Sequence, residues 1–159
     1  MIRRATIKDL EAVNRVMKHP DVYPHTWHDG RVPVEQFTAK NLLLCAPPVH
    51  VLIDDQDSFV ATFTPDNNIM WVVHDNALPE VRGKYARDAG RAMLDWMFTN
   101  TPCLKVIGRT PYTNPRARMF AQMVGFTIEG RLKNAYMLNG KLYDMWVVGI
   151  CKEDFYNVR

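Results

Sequence analysis

Residues able to do chemistry cluster in a few places in this chain. The turn Val81-Arg82-Gly83-Lys84 sets a glycine between two cations. It joins an apolar run, MWVVH at 70–74, to an amphipathic run, YARDAGRAMLDWMF at 85–98. A helix that starts at such a turn presents unpaired backbone N–H groups and the positive end of its dipole, which suits a phosphate. An ordinary strand–loop–helix connection has the same pattern. His74 ends the first run, and a side chain with an ordinary pKa near 6.5 suits proton transfer. A strand-end histidine half in solvent fits as well. His25 and His28 lie in YPHTWHDGR, which shows no period and reads as a surface loop. Arg109, Arg116, Arg118, Arg131 and Lys133 make a scattered basic group, fit for phosphate contacts or for a solvated face.

The net charge of +3 is too small to argue for nucleic acid. Cys45, Cys103 and Cys151 are odd in number, far apart and in or beside apolar runs, so reduced core thiols are expected. No CxxC or HxxxH pair points to zinc, and no metal is expected. The N-terminus, MIRRATIKDLEAV, is too polar for a secretory signal, and no uncharged run is long enough to span a membrane. A cytoplasmic location is the expectation. With 159 residues, 47% hydrophobic and 23% charged, the chain reads as one globular domain, 1–159.

The elements that must position these residues follow from period and punctuation. Residues 1–5 make a short edge strand, and Thr6 with Asp9 opens a helix that Pro20 ends. Pro33 leads a second amphipathic helix over 34–44. VHVLID, SFVATFT and the run from 69 to 74 are strands on short polar turns, an antiparallel meander. The long helix through 98 leads to the buried-type strand LKVIG, which calls for a right-handed parallel crossover. Asn114-Pro115 starts a helix that Gly125 ends. Asn139-Gly140 joins two alternating runs as a hairpin, and 151–159 is a polar tail. The class is α+β: a mixed, mostly antiparallel sheet of six to seven strands, flanked by about four helices.

With these motifs in this order, the chain resembles the GNAT superfamily of N-acetyltransferases, closest to the ribosomal-protein-alanine and spermidine type. PEVRGKYARDAGRAMLDWMF at 79–98 follows the family's PxxRGKGYAxEAxxxLLxYAF. NPRARMFAQMVGFTIEGRLKNAYMLNGKLYD at 114–144 follows NxxSxxxxxKxGFxxEGxxRxxxxxNGxYxD. The likeness is weakest over 20–50, where family acceptors bind and where His25 and His28 fall. The resemblance implies a splayed parallel strand pair that holds acetyl-CoA. It puts Val72 and Val73 beside the pantetheine arm and Arg82, Gly83, Lys84, Tyr85 and Arg87 at the pyrophosphate. It puts Asn114 at the pantetheine and Arg118 at the adenosine phosphate. It implies direct attack of a primary amine, on a protein or a small molecule, within a ternary complex.

The chain departs from that pattern in three ways. Its phosphate turn is one glycine short, which puts the Tyr85 side chain where phosphate space is wanted. A second register, Arg87-Asp88-Ala89-Gly90-Arg91-Ala92, also meets the family's phosphate-turn consensus but starts the helix five residues later. Ala117 and Ala121 stand where family members carry a serine or a tyrosine acid. No glutamate base stands on the central strand, so His74, with Tyr136 lining the cleft, is the catalytic expectation. The alternative is a GNAT-like domain without catalysis, serving as a structural or protein-binding module, for example in a viral particle. A homodimer through the terminal hairpin or an assembly partner would fit; a membrane or nucleic-acid partner is not expected.

Overall fold

The computed structural model describes residues 1–26 and 29–157. The sheet starts with β1 (Ile2–Arg4), β2 (His50–Asp54), β3 (Phe59–Pro65) and β4 (Met70–Ala77), each antiparallel to the next. Then β5 (Lys105–Pro111) joins β4 in parallel. The chain crosses between them through α4 (Lys84–Asn100). After β5 come α5 (Pro115–Val124) and the hairpin of β6 (Thr127–Leu138) and β7 (Lys141–Cys151). The seven strands lie in the order β1-β2-β3-β4-β5-β7-β6. This is the mostly antiparallel sheet with one parallel pair that the motifs imply.

Strand alternation sends side chains to two cores. Leu52, Ala61, Phe63, Trp71, Val106, Val148 and Ile150 meet Ala86, Met93, Leu94, Met97 and Phe98 of α4 on one face. Val51, Ile53 and Val60 meet Val13, Val16 and Met17 of α1 (Leu10–Met17) on the other. Gly90, the glycine of the second register, lies inside α4, where a Cβ would stand 3.2 Å from Val124 Cγ2. It lets α4 and α5 approach and does not begin a helix. The structure therefore takes the first register, with α4 starting at Lys84.

The punctuation signals hold at their own positions. The Thr6 N–H donates to Asp9 at 2.7 Å in a capping box. Gly125 ends α5 at φ 119°, and Asn139 and Gly140 turn the hairpin at φ 53° and 73°. The expected helix over 34–44 is broken. A 3-10 turn at Val34–Gln36 gives way to extended Phe37, then to α3 (Lys40–Leu43). Asn14 on α1 accepts the Ala39 N–H at 2.9 Å, so a tertiary contact outbids local helix continuity. The irregular 21–32 stretch contains a helical turn, α2 (Tyr23–Thr26). The tail forms α6 (Lys152–Asn157) around buried Phe155. The described helices thus outnumber the expected four, because several are single turns. Cys103 is buried, but Cys45 is exposed, so not all the cysteines are core thiols.

Candidate functional site at the β4–β5 fork

β4 and β5 pair only from Met70–Lys105 to Val72–Ile107. β4 runs on to Ala77 on β3, and β5 runs on to Pro111 on β7. Beyond Val72 the two strands part, and their facing backbone edges no longer pair across the gap. Val72 is the last residue of β4 bridged to β5 and Val73 the first not bridged to it, so both line the fork. Gly108 sits at its root, where a Cβ would stand 3.3 Å from Val148 Cγ2 and 3.8 Å from Val73 Cγ1.

Two adjacent titratable residues flank the fork from opposite faces. His74 shares its face with Val72, Ile107 and Arg109, by the parallel register and the two-residue period. Asp75 shares the other with Val73. It lines a cavity of about 20 Å³ with Phe59, Phe63, Gly90, Val124 and Phe126. Both side chains are exposed to solvent, though protein surrounds them closely, as at an open cleft. Burial pushes the Asp75 carboxyl up to about 6, against a smaller opposing hydrogen bond from its own backbone. Burial, and then the Arg109 charge, hold the His74 imidazole below 6.5. Asp75 is a residue of the fork that the sequence analysis missed. Its signal was a lone carboxylate in MWVVHDNA, on the parity of Trp71 and Val73.

The turn before α4 is open. Gly83 caps the helix at φ 98°, and no atom lies within 4 Å of where a Cβ would stand. The first helical bond runs from the Arg87 N–H to the Gly83 carbonyl at 3.0 Å, which leaves the N–H groups of Lys84, Tyr85 and Ala86 ahead of the ladder. Lys84 is exposed beside them. Tyr85 does not fill this space. Its hydroxyl donates to Asp54 at 2.6 Å, so only its backbone faces the turn. Asp54 is 1% exposed and also accepts from the Ser58 N–H and hydroxyl, both at 2.7 Å, and from the Phe59 N–H at 2.9 Å. The expected obstruction is thus a clamp that fixes the first turn of α4. The Arg82 side chain reaches the Asp21 carbonyl at 2.9 Å, and Arg87 pairs with Asp88 at 2.8 Å, so each of these cations is engaged within the protein.

The remaining expected residues are spread around the fork. Asn114 caps α5 by accepting the Ala117 N–H at 3.2 Å. The Arg118 guanidinium lies 5.2 Å from the Trp146 ring centre, and Tyr112 stacks on that ring at 4.1 Å. Tyr136 is 8% exposed on β6, opposite Tyr143 on β7. That register puts it on the face of His74 and Arg109. His25 is exposed, and His28 lies outside the described residues. Among the described residues no group of three His, Cys, Asp or Glu side chains is placed to hold a metal. Among the described residues no helix is long and apolar enough to cross a membrane.

Comparison with known proteins agrees with this geometry. A family model described as "Protein of unknown function (DUF2824)" matches residues 53–159. No curated protein matches the sequence. Among solved structures, the chain is similar to spermidine N-acetyltransferase from Vibrio cholerae in complex with CoA and spermine. The TM-score is 0.78 at 19% identity, over 99% of this chain and 98% of that one. It is also similar to ribosomal-protein-S5-alanine acetyltransferase from Vibrio fischeri, with TM-score 0.74 at 18% identity, over 97% and 93%. A GNAT-family acetyltransferase from Bacillus anthracis gives 0.74 at 19%, over 96% and 94%. At these identities the likeness is one of fold, and the fold is that of the GNAT acetyltransferases.

Proposed function

The chain belongs to the DUF2824 family and has the GNAT acetyltransferase fold, and from that premise we propose that it is an acetyl-CoA-dependent N-acetyltransferase acting on a primary amine. The supporting observation is the fork itself: an unpaired strand edge, a carboxyl group with a raised pKa beside it, and an open N-terminal turn on the helix that follows. The residues present fit the cofactor. Gly83, Lys84, Tyr85 and Ala86 offer backbone N–H groups to a pyrophosphate, and Lys84 offers a charge. Val72 and Val73 offer the strand edge to an amide-bearing arm, with Asn114 and Arg118 at the start of the helix that follows β5. When bound, acetyl-CoA supplies the thioester that donates the acetyl group.

We assign proton removal to Asp75. An amine must shed a proton to become and stay acylated, and a carboxylate titrating near 6 accepts it at neutral pH. As nitrogen develops positive charge, an anion is the better neighbour. His74, neutral and facing Arg109, sits on the wrong side of that balance and is better placed to position the acceptor. The fork walls hold the amine against its target, which removes the entropic cost of encounter.

The test is a thermal melt with acetyl-CoA, beside CoA and ATP. A ligand at 100 times its dissociation constant stabilises by about 2.7 kcal/mol. For a domain of this size that raises the melting temperature by roughly 5–11 °C. ATP should give no such shift. Gly83→Ala should lose most of the acetyl-CoA shift, because a Cβ enters the open turn. It should also melt lower without ligand, since a positive φ costs a non-glycine residue about 1–3 kcal/mol. No shift at millimolar acetyl-CoA overturns the reading in favour of a non-catalytic module.

A further inference from the structure

The acceptor side of the fork carries an arrangement that the acetyl-transfer chemistry does not use. Thr62 is paired with His74 across β3 and β4, and Val60 with Asn76. Continuing the parallel register past Val72–Ile107 brings Arg109 to the level of His74 across the gap. Thr62, His74 and Arg109 therefore form a row on one face, with Asn76 beside it. The Thr62 hydroxyl and the Asn76 Nδ2 amide are buried and have no hydrogen-bond partner among the described residues. Thr62 and Asn76 are 6% and 5% exposed. The Thr26 hydroxyl lies 2.9 Å from the Asn76 Oδ1 and 3.0 Å from the Val22 carbonyl, and its one proton serves one of the two. Arg109 is exposed and makes no ion pair among the described residues.

The charge that acts on His74 has one sign. Arg109 is the charged group that acts on His74, and no carboxylate registers there. Arg31 and Asp29 are the charged groups that act on Tyr136, farther along the same face. The Asp29 carboxylate is held by the hairpin turn, accepting the N–H groups of Asn139 at 2.8 Å and Gly140 at 2.7 Å. Buried donors without acceptors are costly, and a guanidinium matches a carboxylate through paired N–H bonds. A polycation beside His74 would meet Arg109 as like charge to like charge.

We propose that Thr62, His74, Asn76 and Arg109 form an acceptor subsite for a carboxylate, so the amine acetylated is one that also carries a carboxylate. This rests on the acetyltransferase reading above. Arg109 takes the carboxylate, Thr62 and Asn76 supply further donors, and His74 orients the group so that the amine end reaches the fork and Asp75. All four are positioning residues.

The experiment compares matched acceptors in a CoA-release assay: β-alanine, β-alaninamide and spermidine. The wild-type protein should prefer β-alanine to its amide by about tenfold or more in kcat/KM, chiefly through KM. In Arg109→Gln that ratio should collapse towards one, and Arg109→Lys should restore part of it. Equal or better turnover of the amide or of spermidine overturns the subsite and leaves the acetyltransferase intact. So does a preference that survives Arg109→Gln. A second readout needs no turnover: the His74 ring resonances should move on titration with N-acetyl-β-alanine in wild type and not in Arg109→Gln. Unmoved resonances overturn the subsite even if no acceptor reacts. The acetyl-CoA melt separately decides the acetyltransferase reading.

Discussion

Asp75→Asn should lower kcat/KM for acetyl transfer by about 10²–10⁴-fold, the range typical of a lost general base. Amide and carboxyl are nearly isosteric, so acetyl-CoA should still raise the melting temperature of the variant. His74→Gln should have a smaller effect, seen mainly in KM. The pH profile gives an independent check. Wild-type kcat/KM should climb through about pH 6 as the carboxyl ionises. Stability should run the other way. The folded pKa of Asp75 lies above its ordinary 3.8, so the protonated form favours the fold. That favour is complete below 3.8 and is lost as pH rises through about 6. Asp75→Asn carries no charge at any pH, so it should melt higher than wild type at pH 7.5 and alike near pH 4. An inactive variant that is also more stable at neutral pH would mark a carboxylate kept for chemistry and not for folding. Full activity in Asp75→Asn would remove it from the mechanism.

Asp54→Ala should cost about 3–5 kcal/mol, because it strands the Ser58 and Phe59 N–H groups and two hydroxyls in a dry site. For a domain of this size, the melting temperature should fall by roughly 6–20 °C. Tyr85→Phe removes one donor and should cost about 1 kcal/mol. The two changes should not add, since after Asp54→Ala the Tyr85 hydroxyl has no carboxylate to lose. The pH sign is opposite to that of Asp75. Burial, the largest single influence, raises the Asp54 pKa, but the hydrogen bonds from Tyr85, Ser58 and Phe59 together outweigh it and hold the pKa below 3.8. Its contribution is therefore whole above 3.8 and fades as pH falls through the folded value. Chemical denaturation at pH 7 and at pH 3 should show the wild-type advantage over Asp54→Ala shrinking at the lower pH.

What could be read from the sequence was what local chemistry dictates. Asn139-Gly140, Gly125, Asn114-Pro115 and the Thr6–Asp9 box each carry a backbone requirement that few residues meet, and each did what it announced. The 34–44 helix failed because its outcome depends on Asn14, a residue distant in sequence that captures the Ala39 N–H. Tyr85 was misjudged for the same reason. Whether it blocks the phosphate turn depends on the Asp54 carboxylate, which only the fold brings to it. Asp75 was hidden because one carboxylate in an apolar run has no local partner to mark it. Its character comes from the parting of β4 and β5, a property of strand pairing that no short motif encodes.

The Asp29 clip has a consequence for motion. The N–H of Asp29 donates to the Met137 carbonyl at 2.8 Å, while its carboxylate holds the hairpin tip. Residues more than a hundred positions apart are thus stitched at one point, and neither can leave the native basin alone. In hydrogen–deuterium exchange the amides of Asn139 and Gly140 should not behave as those of a free hairpin turn. They should exchange at one shared rate with the Asp29 amide and should all speed up together in Asp29→Ala. The segment around Asp29 and the terminal hairpin would then breathe as one cooperative unit.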